Sequence, residues 1–317
     1  MTITTTSGVN AFDRNMYQTL ASAAAKYHRE NYFGVLEAFP TKICGFNVDS
    51  YKKPIFGASE GITGGKPGVN SLSMQTAKSH KVHGLANVNA HLAWDPEDVM
   101  KLGPQFVEQK QEQLAEWARQ ATISMFKGVY SEGYNSSIVG QGELIADGIL
   151  TNATSVVDLD GTDSTLAAAG DVYKALTKFV KTIPLRYVQG KTINLLMDAE
   201  FFSRANGSTF TNASGVTEWE QFLRFYRDGP SPYKIGNVFF SDDLALDASA
   251  DTVGTHSRLV AWIADPAIVE RAYSRGFSML GETINYAGGV DQMWTVKMGG
   301  CVHDATGVLY SEQIAWS

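Results

Sequence analysis

The chain has 317 residues, of which 44% are hydrophobic and 19% charged, and its formal net charge is −7. This length and composition predict a folded protein built as one large domain or two smaller ones. An acidic chain without basic clusters is a poor candidate for direct nucleic-acid recognition, which depends on Lys and Arg side chains that neutralise phosphates. No apolar run approaches the roughly 18 residues of a membrane span, and the N-terminus lacks the pattern of a secretory signal. We therefore expect a protein that is made and folds in the cytoplasm.

The first fifty residues predict only short elements. Residues 1–12 are polar and rich in Thr, Arg14–Glu30 has apolar residues at helical spacing, and Val35–Val48 is strand-like. Cys44 and Cys301 lie far apart in the chain and belong to no CxxC pair. Two reduced, partly buried thiols are therefore favoured over a disulfide.

The stretch Ser50–Ala93 is crowded with Gly, Lys and His and has too few apolar residues at a regular period to bury a core of its own. A compact domain rarely carries more than about 12–15 structureless residues in one loop. We therefore expect an arm that finds its partners on other subunits. This favours an assembly protein over a self-contained enzyme.

Two motifs inside this stretch resemble binding sites and fail on detail. In "GITGGKPG" (Gly61–Gly68), a phosphate-binding loop would require Gly where Glu60 stands and Ser or Thr where Pro67 stands. Three of the six histidines also lie here, but no cysteine or clustered carboxylate supplies the further ligand that zinc would need; these histidines are His80, His83 and His91. The sequence predicts a loop tip and polar arm residues, and no metal or cofactor site.

The strongest helical signal follows the arm. Asp95-Pro96 is typical of an N-cap with Pro at the first helical position, and Gly103-Pro104 predicts a kink before the main helix, Pro104–Lys127. Lys127-Gly128 is typical of a helix end. The helix is expected to lie across one face of a domain, with a narrow apolar stripe directed inward: Phe106, Val107, Leu114, Trp117, Ala118, Ala121 and Met125.

Beyond Gly128 the pattern predicts mixed helices and strands. The predicted helices are Asp163–Lys181, Ala199–Asn206 and Glu218–Arg227. The predicted buried strands are Thr192–Met197, Lys234–Phe240 and Arg258–Ala264, and the predicted half-exposed strands are Met293–Met298 and Gly307–Ile314. Asp265-Pro266 predicts a turn and a helix N-cap.

No catalytic constellation is evident in the sequence. It contains no GxSxG or HExxH motif and no Cys-His pair in a recognisable context. Asp242-Asp243 stands at a predicted strand end, where enzymes place catalytic acids, but a turn that ends the strand is the favoured interpretation. We expect no enzymatic activity.

The order of these elements resembles that of tailed-phage major capsid proteins with the α+β Hong Kong 97-type fold. That order is an N-terminal arm, an extended loop, one long spine helix, a mixed axial domain and returning strands. The segments that carry the resemblance cover nearly the whole chain: Asp95–Tyr130, Thr192–Thr209, Ala261–Leu280 and Met293–Trp316. The resemblance implies the division 1–49 (arm and first helix), 50–93 (extended loop), 94–137 (spine helix of the peripheral domain), 138–280 (axial domain) and 281–317 (returning strands).

The resemblance also implies a function. The chain would be a structural subunit that assembles into hexamers and pentamers of an icosahedral shell around a double-stranded DNA genome. It would be assembled in the host cytoplasm, belong to the virion, and contact DNA without reading its sequence. Scaffolding, portal and decoration proteins would be further partners.

Some members of this family join a loop lysine to an asparagine of another subunit. The arm offers five amines as candidates for contacts between subunits: Lys52, Lys53, Lys66, Lys78 and Lys81. The sequence indicates neither their partner nor an assisting carboxylate, so it does not predict cross-linking.

Two alternatives to a phage capsid stay open from the sequence. Encapsulin-type nanocompartment shells share the fold, and Arg14–Glu30 would then be a helix that binds cargo inside the shell. A soluble α/β enzyme would be a different class of protein, with Asp242, Asp243 and His256 in its site. Closed shells would distinguish a phage capsid or an encapsulin shell from a soluble enzyme.

Overall fold

The computed structural model describes residues 35–46, 48–55, 79–95, 97, 101, 104–127, 148–156, 159, 165–212, 214–241, 256–284 and 289–316. Within them the strands form three sheets, of four, six and two strands. The mixture of sheets and helices agrees with the predicted α+β class. The predicted helix Arg14–Glu30, the glycine-rich loop Gly61–Gly68 and the pair Asp242-Asp243 lie outside the described residues.

The four-stranded sheet has the order β1–β10–β11–β4. β1 runs parallel to β10, and the other neighbours are antiparallel. Its strands are β1 (Thr41–Ile43), β4 (Ala86–Trp94), β10 (Val269–Ile284) and β11 (Val290–Val302).

The long helix α1 (Pro104–Lys127) lies against this sheet and has the predicted bounds. The inward stripe is confirmed where its side chains are described: Phe106, Leu114, Trp117, Ala118, Ala121 and Met125 are buried. On the opposite side, Glu108, Gln109, Glu112 and Gln113 are exposed. Lys110 Nζ donates to the carbonyl oxygen of Ala93 at 3.0 Å, which ties the helix to the end of β4.

The six-stranded sheet has the order β5–β12–β9–β7–β8, and β6 also pairs with β12. β7 is buried at five of its six positions because its apolar run faces packed elements on both sides of the sheet. The strands are β5 (Thr154–Ser155), β6 (Thr165–Leu166), β7 (Thr192–Met197), β8 (Lys234–Phe240), β9 (His256–Ile263) and β12 (Val308–Trp316).

Four helices accompany this sheet in the described part of the chain: α2 (Asp171–Lys181), α3 (Leu185–Val188), α4 (Ala199–Ala205) and α5 (Glu218–Leu223). Asp198 caps α4, because its carboxylate accepts from Phe201 N at 2.5 Å; it also accepts from Arg258 N at 2.7 Å and so fixes α4 to β9. α5 continues into a π-helical turn, Arg224–Asp228.

No helix in the described part of the chain is both long enough and apolar enough to cross a membrane.

Two short crossovers join the sheets. Residues 264–268 lead from β9 to β10, and residues 303–307 lead from β11 to β12. The crossovers touch each other, because the backbone N–H groups of His303 and Asp304 donate to the carbonyl oxygen of Ile268 at 2.7 and 3.2 Å. The stacking of Phe39 on Trp262, with 4.4 Å between ring centroids, adds an apolar contact between the segment before β1 and the six-stranded sheet.

The prediction that residues 50–93 lack regular structure is wrong for the part that the structure describes. Ser50–Ile55 and Ser79–Gly84 pair as strands β2 and β3, and Ala86–Trp94 is β4. The signal in β4 is an alternation, in which Val88, Ala90 and Leu92 face the core. The polar residues that alternate with these three make the segment look like a loop when only its composition is considered.

Three other predictions need correction. Val35–Glu37 is helical, and only Thr41–Ile43 of the strand-like segment is a strand. The helix predicted from Asp163 begins at Asp171, because Thr165–Leu166 pairs with β12 instead. After Asp265-Pro266 the chain turns and enters β10, without a helix.

The predicted burial of three strands is also wrong. Gly307–Ile314, predicted to be half-exposed, is buried at every described position except Tyr310, because β12 lies between β9 and the short strands β5 and β6. Lys234–Phe240 has one fully buried residue, Ile235, because β8 is an edge strand. Met293–Met298 is almost fully buried, because β11 lies between two neighbours and α1 covers one of its faces. On the other face Lys297 is buried and pairs with the carboxylate of Asp49.

Candidate functional site

The base of the hairpin formed by β2 and β3 contacts the rest of the chain through a group of polar side chains, several of them buried. The strands pair antiparallel, with Tyr51 opposite His83 and Lys53 opposite Lys81. Since alternate residues of a strand point to one face, these four side chains lie on the same face of the hairpin. Their hydrogen bonds show that this face meets the two crossovers.

Glu270, at the start of β10, is the centre of this region. Its Oε2 atom accepts from the Tyr51 hydroxyl at 3.0 Å and lies 2.9 Å from His303 Nε2 and 3.4 Å from Lys53 Nζ. Glu270 is only 7% exposed. Burial alone would raise the pKa of the Glu270 carboxyl, but the hydrogen bonds from His303 and Tyr51 and the charge of Lys53 lower it overall.

The two lysines of this face bind backbone carbonyls of the crossovers. Lys53 Nζ donates to the carbonyl oxygen of Pro266. Lys81 Nζ donates to Val302 O at 2.6 Å and to His303 O at 3.2 Å. The hairpin is therefore fixed to both crossovers of its own chain through charge-assisted hydrogen bonds.

A pair of imidazoles completes the contact. His83 Nε2 lies 3.0 Å from His303 Nδ1, and the ring centroids are 4.8 Å apart. His83 is 3% exposed. We refer to Tyr51, Lys53, His83, Glu270 and His303 together as the clasp.

The five lysines that the sequence singled out occupy different environments. Lys53 and Lys81 bind within their own chain, as described above, while Lys52 is exposed on the opposite face of the hairpin. Lys66 and Lys78 lie outside the described residues. A role for these lysines in contacts between subunits stays a prediction.

The other polar candidates are not brought together. His80 is exposed, and His91 Nδ1 lies 3.6 Å from Asp291 Oδ1 on the exposed surface of β4 and β11. Among the described residues, no group of three or more His, Cys, Asp or Glu side chains is arranged to hold a metal ion. Cys44 and Cys301 are not joined in a disulfide; Cys301 is buried and Cys44 is partly buried.

Sequence reasoning missed three members of the clasp: Tyr51, Glu270 and His303. The segment that holds Glu270 was not predicted as a strand from its own pattern. An alternation is nevertheless present, since Glu270, Ala272 and Ser274 are buried while the residues between them are partly exposed. His303 is a lone histidine in a crossover, and no local signal marks it.

A second surface feature is an apolar groove beside β8, the edge strand of the six-stranded sheet. Along the edge strand β8, a groove of about 360 Å³ is lined mainly by Trp219, Leu223, Val238, Phe239 and Phe240. Phe240 is 50% exposed, and its ring centroid lies 4.7 Å from that of the half-exposed Phe202. An aromatic surface on a strand edge is typical of a protein–protein contact.

Exposed apolar side chains also gather beyond the edge strand β1. Ile43 and Phe46 are 81% and 75% exposed. The guanidinium of Arg275 lies 4.8 Å from the centre of the Phe46 ring. This is a second apolar surface on the edge of a sheet.

Comparisons with known proteins identify the fold. The sequence matches no protein-family model and no curated protein. Solved structures do match. The capsid of Myoviridae phage XM1 has a TM-score of 0.59 at 14% identity, over 89% of this chain and 92% of that chain. A virus-like particle from Pyrococcus furiosus has a TM-score of 0.59 at 9% identity, over 93% and 98%.

A structure from Gordonia phage Cozz has a TM-score of 0.56 at 14% identity, over 90% of this chain and 86% of that chain. The chain has the phage capsid fold. The predicted resemblance to tailed-phage major capsid proteins of the Hong Kong 97 type is thereby confirmed at the level of fold. The match extends over nearly the whole chain, so both sheets and α1 belong to the capsid fold.

Proposed function

We propose that this chain is the major capsid protein of a tailed phage, a structural subunit without enzymatic activity that assembles with copies of itself into an icosahedral shell. The observation that carries this proposal is the match of nearly the whole chain to subunits of phage capsids. The shell would consist of hexamers and pentamers, be assembled in the host cytoplasm and form part of the virion. Scaffolding, portal and decoration proteins would be its further partners.

In this proposal each part of the fold has a role in the shell. α1 and the four-stranded sheet form the peripheral domain, with α1 as the spine helix. The six-stranded sheet and its helices form the axial domain, and β2–β3 is the base of the extended loop. β10 lies mostly within the range 138–280 but pairs in the four-stranded sheet, so the crossover at 264–268 is a better boundary.

The exposed apolar surfaces support self-association. Apolar side chains are exposed at the β8 edge of the six-stranded sheet (Phe202 and Phe240) and near the β1 edge of the four-stranded sheet (Ile43 and Phe46). Exposed apolar patches of this kind are typical of protein–protein contacts. Surfaces at two separate edges suit a subunit with several neighbours. Each contact in such a shell can be weak, because a subunit held at many places gains stability through multivalency.

The charge of the chain suits a container for DNA. A formal net charge of −7 with no basic cluster favours an inner wall that encloses a genome without gripping it. In the proposed shell, DNA is therefore enclosed without sequence-specific contacts.

The alternatives predict different particles. An encapsulin-type nanocompartment is not favoured, because the solved structures that match this chain include the capsids of the phages XM1 and PhiM1. For the soluble enzyme, Asp242 and Asp243 lie outside the described residues, and His256 is the first residue of β9, opposite Ala315.

Electron microscopy of the purified full chain tests the proposal. Closed shells, or rings of five and six subunits, are expected, together with fast-sedimenting material in an analytical ultracentrifuge. Compact single particles at all protein concentrations would contradict a shell protein. Shells that contain a co-purified protein cargo and no DNA would instead favour the encapsulin alternative.

A further inference from the structure

The clasp joins the hairpin β2–β3 to the two crossovers between the sheets. On one side is the hairpin β2–β3, whose side chains Tyr51, Lys53, Lys81 and His83 contact the rest of the chain. On the other side are the two crossovers between the sheets, which contact each other through Ile268 and His303. Any change in the clasp therefore acts on the hairpin and on the junction of the two sheets together.

The geometry of the clasp allows at most one of the two imidazoles to be protonated. His303 Nε2 donates to the Glu270 carboxylate at 2.9 Å, so the His303 Nδ1 atom of a neutral ring is an acceptor. His83 Nε2 lies 3.0 Å from that atom and donates to it. If both rings are protonated, two N–H donors face each other at this distance, and the hydrogen bond is lost.

The groups around the pair also oppose positive charge on it. Lys53 from β2 and Lys81 from β3 place ammonium groups beside His303, and Lys42 from β1 lies 5.8 Å from the centre of the Tyr51 ring. Glu270 from β10 is the carboxylate in direct contact, and Asp265 in the first crossover is already paired with Lys191. The thiol of Cys44 and the phenol of Tyr51 are neutral near pH 7, because burial raises the pKa of both groups.

We propose that the clasp is an acid-sensitive switch, in which protonation of the His83–His303 pair releases the base of the hairpin from the two crossovers. The clasp is closed at neutral pH, with both rings neutral and Glu270 ionised. In acid, the rings repel each other and the neighbouring lysines, and the hairpin swings free of the junction. The hydrogen bonds from Lys53 and Lys81 to the backbone carbonyl oxygens of the crossovers break in the same step.

The direction of the titration agrees with this geometry. Burial lowers the pKa of His303 from its ordinary value of 6.5, and the charges of Lys53 and Lys81 lower it further, although Glu270 acts in the opposite sense. A histidine with a lowered pKa takes up protons more readily in the released state, so the closed clasp loses stability as the pH falls below 6.5. Glu270 also favours the closed state at higher pH. Because its pKa is lowered in the closed clasp, its contribution is fully present above about pH 4.5 and is lost as the pH falls further.

This inference depends only on contacts within one chain. Its consequence for a shell, a hairpin that shifts against neighbouring subunits as the pH changes, rests on the proposed function. The test therefore uses the unassembled full-length chain, so that a failure to form shells and a failure of the clasp give separate results.

Hydroxyl-radical footprinting with mass spectrometry tests the clasp, because it reports side-chain exposure. The chain is labelled at about pH 7.5 and about pH 5.5, on either side of the usual imidazole titration. Leu85, which is buried beneath the hairpin base, and Tyr51 are expected to become several-fold more reactive in acid. The exposed Leu185 is the internal reference and is expected to react equally at both pH values.

Variants separate the pair from general acid effects. His83→Gln and His303→Gln remove one titrating ring each, and the acid-induced rise at Leu85 is expected to disappear in both. His91→Gln is the matched control, because this exposed histidine lies on β4 away from the clasp, and the rise is expected to persist. Equal reactivity of Leu85 at both pH values in the unmodified chain, or a rise that persists in His83→Gln and His303→Gln, would overturn the proposal.

Discussion

The indole of Trp117 meets the ring of Phe277 edge-on, with 5.4 Å between ring centroids and 89° between ring planes. Trp117 belongs to α1 and Phe277 to β10, so this contact fixes the long helix to the four-stranded sheet. Trp117 is 1% exposed, and its Nε1 atom has no hydrogen-bond partner among the described residues. The contact therefore stabilises the fold through apolar packing and aromatic geometry.

Truncation of Trp117 is expected to be severe. Trp117→Ala should lower the free energy of unfolding by about 3–5 kcal/mol, because it leaves a cavity between α1 and the sheet. Trp117→Phe should cost much less, since an aromatic ring remains and the unpaired N–H is removed. Urea denaturation followed by circular dichroism gives both values.

Glu112→Ala on the exposed side of α1 is the control, with an expected change within about 0.5 kcal/mol. If Trp117→Ala proves as mild as this control, the contact between α1 and the sheet is not as the structure has it.

The carboxylate of Glu218 stabilises a helix to which it does not belong. From α5 it accepts hydrogen bonds from the backbone N–H groups of Gly170 and Tyr173, the latter at 3.0 Å, at the start of α2. Glu218 is 4% exposed. Glu218→Ala is expected to lower the free energy of unfolding by about 1–3 kcal/mol, because two donors near α2 lose their acceptor.

Glu218→Gln retains one carbonyl oxygen and should cost less than Glu218→Ala in the same denaturation experiment. Glu200→Ala removes only the exposed pair with Arg204 and should cost about 0–1 kcal/mol. Equal losses for Glu218→Ala and Glu200→Ala would mean that Glu218 does not cap α2.

The contact between the two crossovers leaves no room for a side chain at Gly307. A Cβ atom there would lie 2.5 Å from Ile268 Cγ2. Gly307→Ala is therefore expected to lower the free energy of unfolding by about 1–3 kcal/mol through overpacking. Ile268→Ala also destabilises, because Ile268 is buried.

The double variant Gly307→Ala/Ile268→Ala should lose less than the sum of the two single losses, because the shortened side chain makes room for the added methyl group. A coupling free energy of about 0.5–3 kcal/mol is expected from the double-mutant cycle. Strict additivity would show that the crossovers do not pack as described.

The sequence predicted those elements whose signal is local. α1 was found with its bounds because one apolar stripe runs through 24 residues between Pro104 and a C-terminal Lys-Gly pair. β7 and β9 were found because their apolar runs are short and continuous. β10 was not predicted from its own pattern, because its charged residues are satisfied at long range: Arg271 Nε donates to Thr41 Oγ1, 230 residues away in the chain.

Little of the clasp was predictable from the sequence, because the partners of its residues are also distant in the chain. Lys53 and Lys81 stood out as basic residues in an arm, and a sequence cannot show that their acceptors are the carbonyl oxygens of Pro266 and Val302. Glu270 and His303 lie in polar segments that, from their composition, would be expected at the protein surface. Their burial is a property of the tertiary fold, which brings the two crossovers together beneath the hairpin.

The aromatic edge of β8 provides a test of assembly that leaves the core intact. Phe240→Asp is expected to convert fast-sedimenting particles into free subunits, because it places a charge in an apolar contact. The thermal midpoint of the subunit should change little, since Phe240 is already 50% exposed. Phe240→Leu keeps the surface apolar and should still assemble; if Phe240→Asp assembles as well, this edge is not a subunit contact.

The connection between β2 and β3 offers the last test. Its sequence places Gly57, Gly61, Gly64, Gly65 and Gly68 within a short span. Glycine loses more backbone freedom on ordering than any other residue, so such a run suits a segment that is fixed only in the assembled state. The paired base of the hairpin, Ser50–Ile55 with Ser79–Gly84, holds the two ends of the connection independently of the glycines.

Deletion of residues 58–70 is therefore expected to leave a soluble subunit with a near-normal thermal midpoint, because the paired strands at the base of the hairpin and the clasp are untouched. The same deletion should prevent the formation of stable shells, since the contacts that the segment would make recur at every subunit. Sedimentation and resistance of the particles to heat measure the second effect, and differential scanning calorimetry measures the first. Unchanged shells would show that the segment is dispensable for assembly, whereas an unfolded subunit would show that it contributes to the core of its own chain.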